Sequence, residues 1–180
     1  LFRLVGSEMC IRDRIEIISN SSSQEEINEG EEALILLDQT PFYAESGGQV
    51  GDTGLIKSNN SIFEVYDTQK KGDHFLHLGH VKSGSLKKSD SVVAEINSEQ
   101  RNRIKGNHSA THLLHAALRE VLGDHVEQKG SLVEESRLRF DFAHNSSIDA
   151  EDILAIEDLI NAEIKNCLLY TSPSPRDGRE

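Results

Sequence analysis

The chain has 180 residues, a formal net charge of −12 and a hydrophobic fraction of 36%. This length allows one sizeable core or two small ones. The acidity excludes a nucleic-acid footprint over the whole chain, so any contact with RNA must be local. No stretch is long and apolar enough to span a membrane, and the N-terminus lacks the apolar run of a signal peptide. We therefore expect a soluble, cytoplasmic protein that binds neither membranes nor DNA.

Both ends of the sequence differ in character from the rest. Residues 1–14 show no clear amphipathic period, and residues 167–180 break a helical pattern with a proline-containing tail. Both strings resemble peptides that recur at the ends of translated environmental sequences, where adapter DNA has been read as coding. We expect both to be foreign to the gene, and they hold the only cysteines, Cys10 and Cys167. A metal site within residues 15–166 must then use His, Asp or Glu.

The first part of the chain predicts short strands separated by turn residues. The predicted strands cover residues 15–18, 33–38, 61–66, 74–81 and 91–96. Strands of this length and spacing are typical of a small antiparallel β-barrel or sandwich. His74, His77 and His80 are interpreted as polar-face strand residues rather than ligands, because a spacing of three places neighbours on opposite faces.

A glycine-rich segment, residues 39–54, separates the second and third predicted strands. Four glycines in eight positions are unfavourable in a helix, so the segment predicts a loop. Such a loop brings bare backbone close to a ligand or to another surface, and a tight corner of a small barrel is the alternative. No Lys-Ser/Thr ending follows, which excludes the phosphate-cradling loop of nucleotide hydrolases.

The sequence turns helical from Ser98, and its most helical stretch begins at Asn107. His108, His112 and His115 fall within one narrow sector of this helix. The apolar residues cluster on the opposite side; they are Leu113, Leu114, Ala117, Leu118 and Val121. Asn107 is a favourable N-cap, and Gly123 is a favourable residue just past the C-terminus.

Two histidines spaced i and i+4 can hold one divalent ion from a single helix face. Ser109 stands where a zinc protease has its catalytic Glu, which argues against a protease. The alternative is that the histidines only face solvent. Just before them lie three positive charges, Arg101, Arg103 and Lys105. This local concentration fits a phosphate backbone or, equally, a solvated helix surface.

Beyond the helix, residues 125–133 and 137–142 predict two strands. Residues 150–166 predict a core-packing amphipathic helix, with Asp149 as its N-cap. Together these elements predict an α+β fold.

Three motifs, in this order, resemble the editing region of alanyl-tRNA synthetases. They are TPFYAESGGQVGD at residues 40–52, NHSATHLLH at 107–115 and QKGS at 128–131. The resemblance covers residues 15–166 and implies two parts. Residues 15–97 would form a small antiparallel β-barrel, and residues 98–166 an α+β editing core of the type shared with threonyl-tRNA synthetases.

The family's editing core hydrolyses seryl or glycyl esters of tRNA(Ala) at a zinc ion. By resemblance, His108 and His112 take the first two metal-ligand positions, and Gln128 matches an active-site residue that helps to place the substrate. The resemblance places three loop residues, Gly47, Gly48 and Gln49, at the mouth of the substrate pocket. Contact of Arg101, Arg103 and Lys105 with the tRNA acceptor end is our own inference, and no family motif supports it.

The sequence departs from the family in one respect that bears on chemistry. The downstream Cys-x-x-x-His that completes the zinc site is absent, since Thr171 stands four residues after Cys167. The aminoacylation domain, which uses ATP and Mg²⁺, is also missing upstream, and the chain begins with Leu1. We therefore expect a synthetase fragment that holds zinc weakly and edits poorly. The alternatives are a free-standing trans-editing hydrolase and a non-catalytic RNA-binding module.

Overall fold

The computed structural model of the protein describes the backbone of residues 9–12 and 15–171 and the side chains of residues 16–166. Predictions for residues 1–8, 13–14 and 172–180 fall outside the described residues. The structure tests neither the foreign origin of the terminal strings nor the proposed domain boundaries, so both stay predictions.

The described residues form two helices and eleven strands. In chain order these are β1 Met9–Arg12, β2 Ile15–Ser19, β3 Ser22–Gln24, β4 Glu26–Asn28, β5 Glu32–Leu37, β6 Gly54–Lys57, β7 Ser61–Lys71, β8 His74–Lys87, β9 Val92–Ile96, α1 Ser98–Leu122, β10 Glu127–Val133, β11 Leu138–Ala143 and α2 Ala150–Thr171. The α+β class is thereby confirmed. The predicted strands do not include β1, β3, β4 or β6, and those at β7 and β8 end too early, at Tyr66 and Val81 rather than at Lys71 and Lys87.

Nine strands form one sheet in the order β1-β9-β6-β7-β8-β5-β2-β3, with β4 paired to the end of β8. Neighbouring strands are antiparallel, as predicted. The predicted barrel is wrong in one respect, because the sheet is not closed over the described residues. Its edge strands β1 and β3 are only four and three residues long. Strands this short offer few hydrogen bonds for joining the two edges.

Strands far apart in this order bury side chains in one apolar cluster, so the sheet curves around it. The members include Ile17, Ile35, Ile56, Phe63 and Leu86, each fully buried. Alternate residues of β7 and β9 face this cluster, which is the period of a strand with one buried face. Phe42, at the start of the glycine-rich loop, is buried in the same cluster and fixes where that loop leaves the sheet.

His77 also lies inside the sheet rather than on its polar face, which corrects its predicted position. Its Nδ1 lies 2.8 Å from the carbonyl oxygen of Ile35, and its Nε2 lies 2.7 Å from the hydroxyl of Thr40. Burial lowers the pKa of His77 to about 4, so the ring is neutral. The neutral ring donates to the carbonyl and accepts from the hydroxyl, which satisfies both nitrogens.

Helix α1 begins at Ser98 with Asn97 as its N-cap, so the predicted cap at Asn107 is wrong. The Asn97 side chain accepts a hydrogen bond from the Gln100 amide at 3.1 Å. Asn107 lies in the middle of the helix and donates to the Glu134 carbonyl at 2.7 Å. The helix ends at Gly123 (φ +111°), as predicted.

The helices and the β10–β11 hairpin enclose a second apolar cluster. Its buried members are Ala117, Leu118, Val126 and Ile156, and Leu114, Val121, Leu122, Phe140, Phe142, Leu159 and Ile160 pack around them. The apolar face predicted for α1 is thus confirmed in most of its members.

Helix α2 begins as predicted, because Asp149 Oδ1 accepts from the amides of Glu151 and Asp152. Its apolar face is only partly covered, since Ile153 and Leu154 are 46% and 60% exposed. No helix within the described residues is long and apolar enough to cross a membrane.

Candidate functional site

His108 and His112 converge on one point beside α1. Their Nε2 atoms are hydrogen-bonded to each other at 3.0 Å, and their ring centroids lie 4.9 Å apart. Two nitrogen ligands of a tetrahedral zinc ion, each about 2.0–2.1 Å from the metal, are separated by roughly 3.3 Å. Both side chains are exposed, so an ion can reach them. The pair therefore has the geometry of one edge of a tetrahedral metal site.

The second ring nitrogen of His108, Nδ1, is hydrogen-bonded to Gln49 on the side away from His112 Nε2. His108 Nδ1 lies 2.8 Å from Gln49 Oε1. A carbonyl oxygen only accepts hydrogen bonds, so Nδ1 carries the proton and Nε2 keeps its lone pair. Desolvation lowers the pKa of His108 below its ordinary value, and the nearby His112 lowers it further. Both effects favour the neutral ring. A neutral imidazole is the form that binds a metal.

Gln49 reaches His108 because the glycine-rich loop lies against β10. Gly48 (φ +85°) accepts a hydrogen bond from the Val133 amide at 2.8 Å, and Val50 donates to the Val133 carbonyl at 3.2 Å. A Cβ on Gly48 would lie only 2.2 Å from the Ser131 carbonyl oxygen. Gly47 (φ +59°) is exposed at the tip of the turn. Only bare backbone permits this approach.

A buried ion pair holds the other end of the loop to α1. The Arg101 guanidinium contacts both carboxylate oxygens of Asp52 and donates to the Pro41 carbonyl at 2.9 Å. Arg101 and Asp52 are 4% and 2% exposed. Asp52 also accepts from the Tyr43 amide at 2.6 Å, across the base of the loop.

Arg101 therefore does not lie on the surface, which corrects the expectation that it faces tRNA together with Arg103 and Lys105. Local spacing does not predict this burial, because the partner Asp52 lies 49 residues away in the sequence. Arg103 is exposed and pairs with Glu99 at 2.9 Å. Lys105 is partly exposed. Contact of these two side chains with tRNA stays a prediction.

Gln128 is exposed on β10, opposite Phe142, next to a break in register between Gln128 and Gly130. Its side chain makes no hydrogen bond to another described residue. The amide is therefore available to a ligand, and its predicted role with substrate stays a prediction.

His115 lies apart from the pair. Its ring packs against the ring of Phe140, with the two centroids 5.2 Å apart. Its Nε2 is buried without a hydrogen-bond partner among the described residues. Within residues 16–166, no group of three or more His, Cys, Asp or Glu side chains is arranged to hold a metal. The described residues therefore fit zinc as two ligands of a larger set.

Sequence reasoning missed two contacts at this site, Gln49 with His108 and Arg101 with Asp52. Both join the loop to the helix across more than 45 residues of chain. The one available signal was the presence of Gln49 and Asp52 within the glycine-rich motif itself.

A comparison with protein families matches the part of the chain that contains the sheet and the glycine-rich loop. The family described as tRNA synthetases class II (A) matches residues 6–100, which include the whole sheet and the glycine-rich loop. His108 and His112 lie on the same helix α1, beyond the end of the matched range. Because the match spans more than half of the 180 residues, the chain belongs to the class II (A) tRNA synthetase family.

Proposed function

We propose that this chain is the editing part of an alanyl-tRNA synthetase and hydrolyses seryl or glycyl esters of tRNA(Ala). Membership of the family implies tRNA as a partner. The observation that carries the proposal is the convergence of His108 and His112, with their Nε2 atoms 3.0 Å apart and Gln49 behind them.

Zinc fits the donor set, since two neutral imidazoles on one helix face are ligands that it prefers. When bound there, zinc supplies a Lewis acid that polarises the ester carbonyl and favours attack by water. His108 and His112 supply two of its ligands. The exposed amide of Gln128 can donate to and accept from the aminoacyl group. The exposed turn at Gly47 lies next to Gln49 and offers backbone groups to the tRNA terminus.

Such a site has a physical purpose in a synthetase that selects alanine. Serine exceeds alanine by one hydroxyl, and glycine lacks one methyl, so a binding pocket alone rejects them only modestly. A second site that hydrolyses the wrong ester adds the missing discrimination. The ATP-dependent aminoacylation would be carried out by another part of such a synthetase.

Deacylation of seryl-tRNA(Ala) by the 180-residue chain, with zinc added, tests the proposal. We expect slow hydrolysis above the uncatalysed rate, because two histidines are half of a four-ligand set. His108→Ala and His112→Ala should each abolish it, whereas His74→Ala, an exposed histidine on β8, should not. Unchanged hydrolysis in both α1 variants would refute the assignment.

A non-catalytic RNA-binding module is the second candidate. The observation that favours it is that the described residues provide only two histidine ligands. It predicts that the chain binds tRNA(Ala) but leaves the seryl ester intact at every zinc concentration. It also predicts that His108→Ala binds tRNA as tightly as the wild type.

A further inference from the structure

We propose that Gln49 is a positioning residue that fixes the tautomer and orientation of His108 for metal binding; this inference rests on the proposed zinc site. The sequence reading placed Gln49 at the substrate, whereas the side chain lies behind the histidine and is 4% exposed. Gln49 would then act on the ester only through His108.

The contact itself selects one form of the ring. Gln49 Oε1 accepts from His108 Nδ1 at 2.8 Å, so His108 Nε2 keeps its lone pair and accepts a hydrogen bond from His112 Nε2 at 3.0 Å in the metal-free chain. The opposite tautomer would set the Nδ1 lone pair against the carbonyl oxygen and leave a buried acceptor without a donor. Metal-binding histidines are commonly oriented by such an acceptor on the second ring nitrogen.

The backbone around Gln49 is fixed well enough to perform this role. Ser46 and Gln49 exchange two backbone hydrogen bonds, at 3.0 and 3.1 Å, and Gln49 also bridges to Val133 of β10. The loop is attached to α1 at two points, through Asp52 to Arg101 and through Gln49 to His108. The two attachment points are seven residues apart, or roughly 10.5 Å along the helix axis.

These attachments connect the nine-stranded sheet, through the glycine-rich loop, to helix α1 at the proposed metal ligand His108. The loop starts at Phe42, in the apolar cluster of the sheet, and ends against the helix that carries the histidines. Within α1 the His108 ring contacts His112 through Nε2, and the loop supplies the acceptor on the second ring nitrogen, Nδ1.

The first test uses the metal-free chain. Nitrogen-15 NMR of the imidazole rings shows which nitrogen of His108 carries the proton. We expect Nδ1 in the wild type and in Gln49→Glu, which keeps an acceptor oxygen, and a mixture of tautomers in Gln49→Leu. A wild-type His108 protonated on Nε2 would overturn the inference whatever the metal does.

The second test is titration with Zn²⁺ alone. We expect Gln49→Leu to bind zinc about tenfold to a hundredfold more weakly than the wild type, the usual effect of removing such a partner. Gln49→Glu should bind at least as tightly as the wild type. Gln24→Leu, on edge strand β3, is the matched control and should leave binding unchanged. Urea midpoints of all variants separate loss of affinity from loss of folding.

The outcomes distinguish this inference from the proposed function. If the wild type binds zinc through His108 and His112 while Gln49→Leu binds equally well, the inference fails and the metal site stands. If the wild type binds no zinc, the proposed zinc site fails and the inference fails with it. If only Gln49→Leu loses affinity at an unchanged urea midpoint, and Gln49→Glu restores it, both are supported.

Discussion

Replacement of Gly48 by alanine tests how the glycine-rich loop lies against β10, and Gly47 provides a matched control. Both glycines have positive φ, +85° and +59°, so an alanine at either position is strained. Only at Gly48 would an added Cβ meet another segment, since it would lie 2.2 Å from the Ser131 carbonyl oxygen. A Cβ on Gly47 would meet no atom within 4 Å. The pair separates backbone strain from steric overlap.

The geometry gives the expected magnitudes. The left-handed conformation costs an alanine about 1–2 kcal/mol, and both variants incur this cost. Relief of the overlap at Gly48 requires the loop to move away from β10. That movement breaks the hydrogen bond from Val133 to Gly48 and weakens the one from Val50 to Val133. At about 1 kcal/mol for each backbone hydrogen bond, Gly48→Ala should destabilise the chain by about 3 kcal/mol, and Gly47→Ala by about 1 kcal/mol.

Urea unfolding followed by circular dichroism measures both changes, since the chain has no tryptophan for fluorescence. Zinc titration provides a second measurement. Gly48→Ala should also weaken zinc binding, because the same movement withdraws Gln49 from His108, whereas Gly47→Ala should leave zinc binding nearly unchanged. Equal destabilisation by the two variants would refute the account of the loop as a segment packed on β10.

Two further predictions concern buried ionisable side chains. Burial lowers the pKa of His77 from 6.5 to about 4, so the unfolded chain takes up a proton first as pH falls. The free energy of unfolding should be at its full value above pH 6.5 and should fall by up to about 3 kcal/mol as pH approaches 4. Urea unfolding at a series of pH values measures this fall. The His77→Gln variant should show a smaller fall, and the His74→Gln control should show the same fall as the wild type. Arg101→Met leaves Asp52 buried without its partner and should cost about 3–5 kcal/mol, against less than about 0.5 kcal/mol for exposed Arg103→Met. Adding Asp52→Leu to Arg101→Met should recover part of the loss, and strictly additive losses in urea unfolding would contradict the pairing.

Local sequence signals predicted most of the secondary structure, but they gave the wrong result where tertiary packing determines the position of a residue. Gly123 ends α1 and Asp149 caps α2 as predicted, because caps depend on residues within one turn. Asn107 has the same cap chemistry but lies inside α1, where its amide binds the Glu134 carbonyl. The cap preference of an asparagine is worth about 1 kcal/mol, which is too little to interrupt a helix that packing supports on both sides of it.

The sequence by itself determined that His108 and His112 face the same point, because the helical period places residues i and i+4 on one side. It also indicated that residues 39–54 form a loop, since four glycines do not favour a helix; of these residues only Gly54 differs, because it begins strand β6. Only the tertiary structure decided that Gln49 stands behind His108 and that Arg101 is buried against Asp52. Helical spacing is set by the backbone, whereas contacts between residues 59 and 49 positions apart depend on how the sheet and the helix pack together.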